Sequence, residues 1–341
     1  MGNFKEDIAR IRAFVFDVDG VMTDGGITVT PEGEFLRTFY AKDGYALSLA
    51  LKKGYRIAII TGGRGKALQV RFDMIFNIVA PEIEVIALIR EKRLSREEEI
   101  EYLRSHGVDF DFKKAEYSIN QGIWGTSVGG KETLTSGETL PEEAYPSQLK
   151  ETEPRRVTLT FERGEFVALD GKRYDDRIAA IQALQAVASR YAVGRDMHVG
   201  DTIIGIKGRV GFEAAAPMVI IKAHHMLEKH TLTKWQLFWK DQISAFYGNH
   251  LHEGQYYDPV MRDMEAMLES SQRTVSGDVY VDLHPYRFVV VGIDSPHDLM
   301  SNRFGAYGET MSDWTSEDVK GFGRIFGHQN KIYYQVNKEK L

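Results

Sequence analysis

FVFDVDGVMTDGG, residues 14–26, and RIAIITGG, residues 56–63, decide how the front of this chain folds. RAFVFDV (12–18) is a short apolar run with β-branched and aromatic members, the pattern of a buried strand. ITVTPEGEFLRTF (27–39) alternates about a Pro-Glu-Gly turn and reads as a hairpin. Asp43 is placed to cap a helix whose apolar face is Tyr45, Leu47, Leu49, Ala50 and Leu51, ending at Gly54. RIAII (56–60) is then a second buried strand, closed by glycines. Strand, helix, strand with a glycine turn after each strand is the grammar of a doubly wound parallel sheet.

Working outward, RGKALQVRFDMIF (64–76) predicts a helix from Ala67 to about Phe76. EVIALI (84–89) reads as another strand, and Ser95 with Glu98 as a capping box opening a helix. Residues 125–154, rich in Gly, Ser, Thr, Pro and Glu, read as a long loop. RVTLTFERGEFVALDGKRY predicts a hairpin, DDRIAAIQALQAVASRYA an amphipathic helix, and VGDTIIGIKGRVGF a return to strand. AAAPMVIIKAHHMLEKH and TKWQLFWKDQISAFYGNHL predict consecutive helices, with Trp235, Phe238, Trp239 and Phe246 expected in helix core. His250 and His252 are spaced to face one side of a strand. His224, His225 and His230 lack the four-residue spacing of a helical zinc pair. Asp258-Pro259 starts a third helix, DVYVDLHPYRFVVVGI forms a last hairpin, and Thr315 opens a C-terminal helix.

The chain has 341 residues, enough for two or three domains. It is 43% hydrophobic and 27% charged, with a net charge of −6, which argues against nucleic acid or an anionic membrane as partner. It contains no cysteine, which excludes disulfides, thiolate metal sites and cysteine nucleophiles. MGNFKEDIARIR lacks the apolar core of a signal peptide, and no run reaches membrane-spanning length. A cytoplasmic protein acting on small molecules is expected.

Two chemistries compete. Asp17 ends a buried strand, where a carboxylate can attack a phosphoryl group, and Asp19 two residues on can serve as acid and base. Both would help hold Mg²⁺. Thr61, after the next strand, can hydrogen-bond the phosphate. Residues 8–66 resemble the haloacid dehalogenase superfamily, and within it the 3-deoxy-D-manno-octulosonate 8-phosphate phosphatases. That resemblance implies a Mg²⁺-dependent sugar-phosphate phosphatase and, for residues 26–39, a role in subunit contacts. It also implies a downstream lysine and a GDD motif, neither of which follows in order; Asp201 in HVGDTIIG is a chance match.

From about Gln69 the chain resembles the argininosuccinate synthase family. The stretches that carry this are QVRFDMIF, LSREEEIEYLRSHGV, YSINQGIWGTSVGG, VGRDMHVGDTIIGIKGR, GFEAAAP, AHHMLEKHTL, LHEGQYYDPVMRDMEAML and SPHDLMSNRFGAYGE. The resemblance implies a cytoplasmic, tetrameric, ATP- and Mg²⁺-using ligase that joins citrulline to aspartate. It implies that Arg71 holds the ureido end of citrulline, and that Ser118 and Ser127, nine residues apart, contact the same substrate. It places Phe212 where a tyrosine is expected and Gly200 where a glutamate is expected, with Asp201 one residue away as a candidate replacement. It also implies an SGGxDTS loop for the ATP pyrophosphate, and no such motif occurs in these residues. In the TGKGNDQVRF loop, Gly63, Ala67 and Leu68 stand where Thr, Asn and Asp would bind aspartate and citrulline.

The expected fold is α/β: an incomplete doubly wound (Rossmann-like) parallel sheet, then an α+β synthetase domain, then a C-terminal oligomerisation helix. The expected divisions are 1–67, 68–115, 116–313 and 314–341. The expected activity is argininosuccinate synthesis, weakened by the missing ATP loop. The alternatives are the phosphatase, itself incomplete, and a non-catalytic chimeric or oligomeric remnant.

Overall fold

The computed structural model describes residues 13–17, 23–29, 35–39, 49–50, 52–54, 56–60, 66–82, 101–102, 104–107, 117–203, 205–300, 305 and 313–338. The expected strand at 84–89, the caps at Asp43 and Ser95, and the residues Asp19, Thr61 and Gly63 lie outside them. The chain divides into two units, Met1–Pro296 and His297–Leu341.

In the first unit β1 (Ala13–Asp17), β2 (Thr23–Val29), β3 (Phe35–Phe39) and β4 (Arg56–Ile60) follow in order. β1 and β4 pair in parallel, from Ala13 opposite Arg56 to Asp17 opposite Ile60. β2 and β3 form the expected antiparallel hairpin; β2 runs beside the strands Ser118–Gly122 and Gly125–Gly129, and β3 beside a later helix, Lys234–His252. Gly54, at φ +82°, ends a helical turn in the left-handed conformation that glycine tolerates best. The helix expected around Ala67 is α1 (Lys66–Val79). On it Phe72 is buried and stacks on Phe76 one turn later, with 6.0 Å between ring centres.

Two antiparallel sheets organise the rest. β5 (Ser118–Gly122) and β6 (Gly125–Gly129) form a hairpin where the start of a long loop is expected. Small residues hide its alternation, but the pairing runs regularly from Ser118 opposite Gly129 to Gly122 opposite Gly125. Beyond it, Lys131–Leu134 and Glu142–Ala144 are short 3₁₀ turns. β7 (Arg155–Glu162), β8 (Glu165–Leu169) and β9 (Lys172–Arg173) form a meander, which α2 (Arg177–Ala188) follows. Arg163 at φ +50° and Gly164 at φ +85° make the tight β7–β8 turn. β10 (Arg195–Asp201) and β11 (Lys207–Glu213) join the first sheet in the order β10-β11-β6-β5.

Helices α3 (Ala215–Thr231), α4 (Lys234–His252) and α5 (Val260–Ser271) come next. α4 begins with a capping box between Thr233 and Gln236. The Asp258 carboxylate accepts from the Val260 N–H at 2.9 Å at the start of α5; the cap position itself is Pro259, one residue later than expected. β12 (Gly277–His284) and β13 (Arg287–Asp294) complete the second sheet in the order β13-β12-β7-β8-β9.

The core lies on one face of that second sheet. Val157, Leu159 and Phe161 of β7 and Val279, Val281 and Leu283 of β12 alternate inward and are essentially inaccessible. They meet Ala180, Leu184 and Ala188 of α2 and Val219, Ala223 and Leu227 of α3 in one cluster. A smaller cluster, Val128, Leu140 and Ala144 with Met197, backs the first sheet. There Arg209 donates to the carbonyls of Glu132, Thr135 and Glu138 at 2.9, 2.6 and 2.6 Å, which ties the segment after β6 to β11.

Two expectations about α4 are corrected. His250 and His252 lie on a helix, because its periodicity runs unbroken to residue 252. Trp235, Phe238, Trp239 and Phe246 are not core: they are 62, 47, 55 and 48% exposed. The helix packs through its other side, where Leu237 borders the main core.

In the second unit α6 (Ser316–Phe326) starts at a capping box in which Asp318 accepts from the Thr315 N–H at 2.8 Å, and α7 (His328–Val336) follows. Phe322, Ile325, Phe326 and Tyr333 are exposed. No helix among the described residues is long and apolar enough to cross a membrane.

Candidate functional site

Strand alternation sorts the first sheet into two faces. Phe212 lies opposite Ser127 on one side and Asp196 on the other, and Ser127 lies opposite Asn120. Residues directly opposite share a face, as do residues two apart. One face therefore carries Ser118, Asn120, Ser127, Phe212 and His198. The Asn120 amide reaches the Ser127 hydroxyl at 3.5 Å, and the rings of His198 and Phe212 meet edge to face at 6.3 Å. Burial holds the His198 imidazole below its ordinary pKa, against the opposing pull of Asp196.

Asp201 does not bring its carboxylate to this face. It lies one residue out of phase, opposite Lys207, and pairs with that ammonium at 2.5 Å at the exposed end of the β10–β11 hairpin. Its backbone instead hydrogen-bonds to His252.

Arg71 comes from α1. Its Nη2 donates to the His252 ring, 2.8 Å from Nε2 and 3.2 Å from Nδ1. Burial, then the Arg71 charge, lowers His252 to about 4, so the imidazole is neutral at neutral pH and can accept. The chain turns away directly after this contact. Gly254 sits at φ +82° with the Arg71 Cα, Cβ and Cγ 3.5 Å from where a Cβ would stand. The left-handed turn thus lays the α4 terminus along the arginine stem.

The opposite face of the sheet is structural. Arg195 donates to Glu213 at 2.9 Å, to Glu142 at 2.8 Å and to the Ser147 carbonyl, and lies 4.5 Å over the Tyr145 ring. A second polar cluster joins α3 to α4. The inaccessible Glu228 accepts from Lys240 at 2.7 Å and from the Gln272 amide at 2.9 Å, with His225 at 3.4 Å and His224 at 3.7 Å. Burial pushes this carboxyl up, but the hydrogen bond from His225 and the charges around it prevail and hold it at about 2. Two of the three helical histidines are thereby accounted for without a metal. Among the described residues no cluster of His, Asp or Glu could hold one.

Residues 117–333 match the family model described as "Arginosuccinate synthase C-terminal domain", well over half of the chain. The chain belongs to the argininosuccinate synthase family. Residues 46–109 match that family's "N-terminal HUP domain". Proteins named argininosuccinate synthase resemble the chain along most of its length. That of Dictyoglomus thermophilum is 34% identical over 292 residues, 85% of this chain and 73% of the relative. That of Xanthomonas campestris pv. campestris is 36% identical over 284 residues, 79% of this chain and 69% of the relative. That of Methanocaldococcus jannaschii is 29% identical over 338 residues, 92% of this chain and 85% of the relative.

These matches revise the N-terminal reading. The HUP match starts at residue 46, ahead of residue 68 where the ligase resemblance was expected to begin, and it takes in β4 and Thr61. The Methanocaldococcus jannaschii alignment leaves less than a tenth of the chain outside it, so it enters residues 8–66 as well. Nothing supports a phosphatase fragment there. Parallel pairing of strands is common to every doubly wound sheet, so the β1–β4 pair does not distinguish the two families. The roles expected of Asp17, Asp19 and Thr61 have no finding behind them.

His252 was placed beside His250 on an expected strand and given no partner; the structure gives it Arg71. Its partner lies 181 positions away, and the one available signal was its place inside LHEGQYYDPVMRDMEAML, a stretch that already carried the family resemblance.

Proposed function

We propose that the chain is an ATP-dependent carbon–nitrogen ligase that joins citrulline to aspartate in arginine biosynthesis, and that its acceptor half is better preserved than its nucleotide half. The observation that carries this is the shared face of Ser118, Ser127 and Phe212 in a chain of this family. In this reading the ureido oxygen of citrulline attacks the α-phosphorus of ATP, pyrophosphate leaves, and the aspartate amine then displaces AMP. Arg71 orients the planar ureido group through its fixed donors. Ser118 and Ser127 offer hydroxyls along the substrate, and Phe212 closes the face with an apolar ring. Asp201 contributes backbone rather than charge.

The described residues do not fit a Mg²⁺–triphosphate site. They offer no acidic cluster, and α1 opens on Lys66, Ala67 and Leu68, of which the last two have no side-chain donor. The sequence has no SGGxDTS loop. Adenylation is therefore slow in this reading, and no step is derived through the metal. A synthetase domain over 116–313, a C-terminal arm over 314–341, a cytoplasmic location and a homotetramer belong to the same proposal; the expected boundary at 67/68 falls inside the HUP match and is not kept. The tetramer is supported by the exposed aromatics of α4 and α6 and is tested by light scattering on the eluting protein.

The test of the activity is AMP formation by the purified chain. AMP that appears only with ATP, citrulline and aspartate together, and disappears in Arg71→Ala, supports the ligase. AMP formation indifferent to citrulline contradicts it.

A further inference from the structure

The Arg71 guanidinium is too flexible to present a fixed fork unless something holds it, since arginine carries about 2 kcal/mol of rotamer entropy. Three features of the structure bear on this. Its Nη2 lies 2.8 Å from a ring nitrogen of His252. Gly254 brings the end of α4 within van der Waals reach of the arginine stem. His252 is itself anchored by the Asp201 backbone, beside His198 of the face that carries Ser127 and Phe212. Helix α1, helix α4 and the first sheet thus converge on one imidazole.

We propose that His252 is a positioning residue for acceptor binding: as a neutral imidazole it accepts a hydrogen bond from Arg71 and fixes the guanidinium that grips the ureido group. The proposal rests on the reading of Arg71 given above. Because the ring acts as an acceptor, its geometry and lone pair matter and its charge does not. Among the described residues, Arg71 from α1 and the second imidazole, His198, from β10 face it, and Asp201 faces it through its backbone. Protonation would turn the ring from acceptor to donor and set two cations against each other.

The experiment is calorimetric titration of citrulline into the full chain as wild type, His252→Leu, His252→Gln, Arg71→Ala and the Arg71→Ala/His252→Leu double variant. Circular dichroism confirms that each is folded. Losing a hydrogen bond to a charged group weakens citrulline binding about tenfold in His252→Leu. The glutamine carbonyl can still accept, so His252→Gln restores most of the affinity. Arg71→Ala abolishes binding, and the double variant loses nothing more. Wild-type affinity in His252→Leu, or equal losses in Leu and Gln, overturns the proposal. If Arg71→Ala binds citrulline normally, or the wild type does not bind it, the reading of Arg71 fails instead. The pairing is then decided without substrate, from the His252 imidazole ¹⁵N resonances at pH 5.5. They move toward the protonated form in Arg71→Ala if the pair exists, and unchanged resonances overturn it.

Discussion

At the scale of single residues, the most informative group is His252. Its folded pKa of about 4 lies below the ordinary 6.5. The unfolded chain therefore binds a proton between those values and the folded chain does not. The contribution to stability is complete above pH 6.5 and is lost as pH falls toward 4. The urea midpoint of wild type should fall relative to that of His252→Gln between pH 7 and 4.5, and parallel midpoints would show that the ring titrates normally. The shared face of the first sheet was legible in part. Ser118, Ser127 and Phe212 were named from motifs, and the register puts them on one face. Asp201 was misplaced because a shift of one residue along a strand reverses the face. His252 was named but given no partner, because no local pattern announces a partner on another element.

At the scale of elements, the α3–α4 junction contains a buried ion pair, Glu228 with Lys240. Glu228 is inaccessible and the Lys240 side chain is 17% exposed, so removing the ammonium leaves a buried carboxylate with one fewer donor. Lys240→Ala should cost about 3–5 kcal/mol, read from urea unfolding at pH 7; a loss below about 1 kcal/mol would show that His225 and Gln272 suffice. The sign of the pH effect follows from the lowered carboxyl. Its stabilisation is present above about 4.5 and is lost as pH falls toward 2. The main core gives a simpler expectation: Leu184→Ala, wholly inaccessible between α2 and the second sheet, should lose about 2–5 kcal/mol by the same measurement. Gly254→Ala forces a Cβ onto a left-handed position and should lose about 1 kcal/mol. The added methyl would stand in ordinary contact with the Arg71 stem, at 3.5 Å, so citrulline binding should change little. The meander, the helices and the final hairpin were legible because their periods of two and 3.6 are unbroken. The β5–β6 hairpin was half hidden, since Gly, Ser and Thr in alternation look like a loop until the partner strand is known.

At the scale of the whole molecule, residues before the first motif of the synthetase domain were open to two readings because every doubly wound sheet begins alike. Burial patterns did not resolve that choice; the extent of the family match did. The aromatic side of α4 was expected inside and stands exposed on the single chain, which no property of the helix alone could reveal. The central claim is that this chain keeps the acceptor-recognising half of a ligase of its family, centred on Arg71. The most direct measurement is saturation binding of isotopically labelled citrulline to the purified chain without nucleotide, alongside Arg71→Ala. The account predicts saturable binding in the wild type and none in the variant. No saturable binding, or equal binding by both proteins, would contradict it.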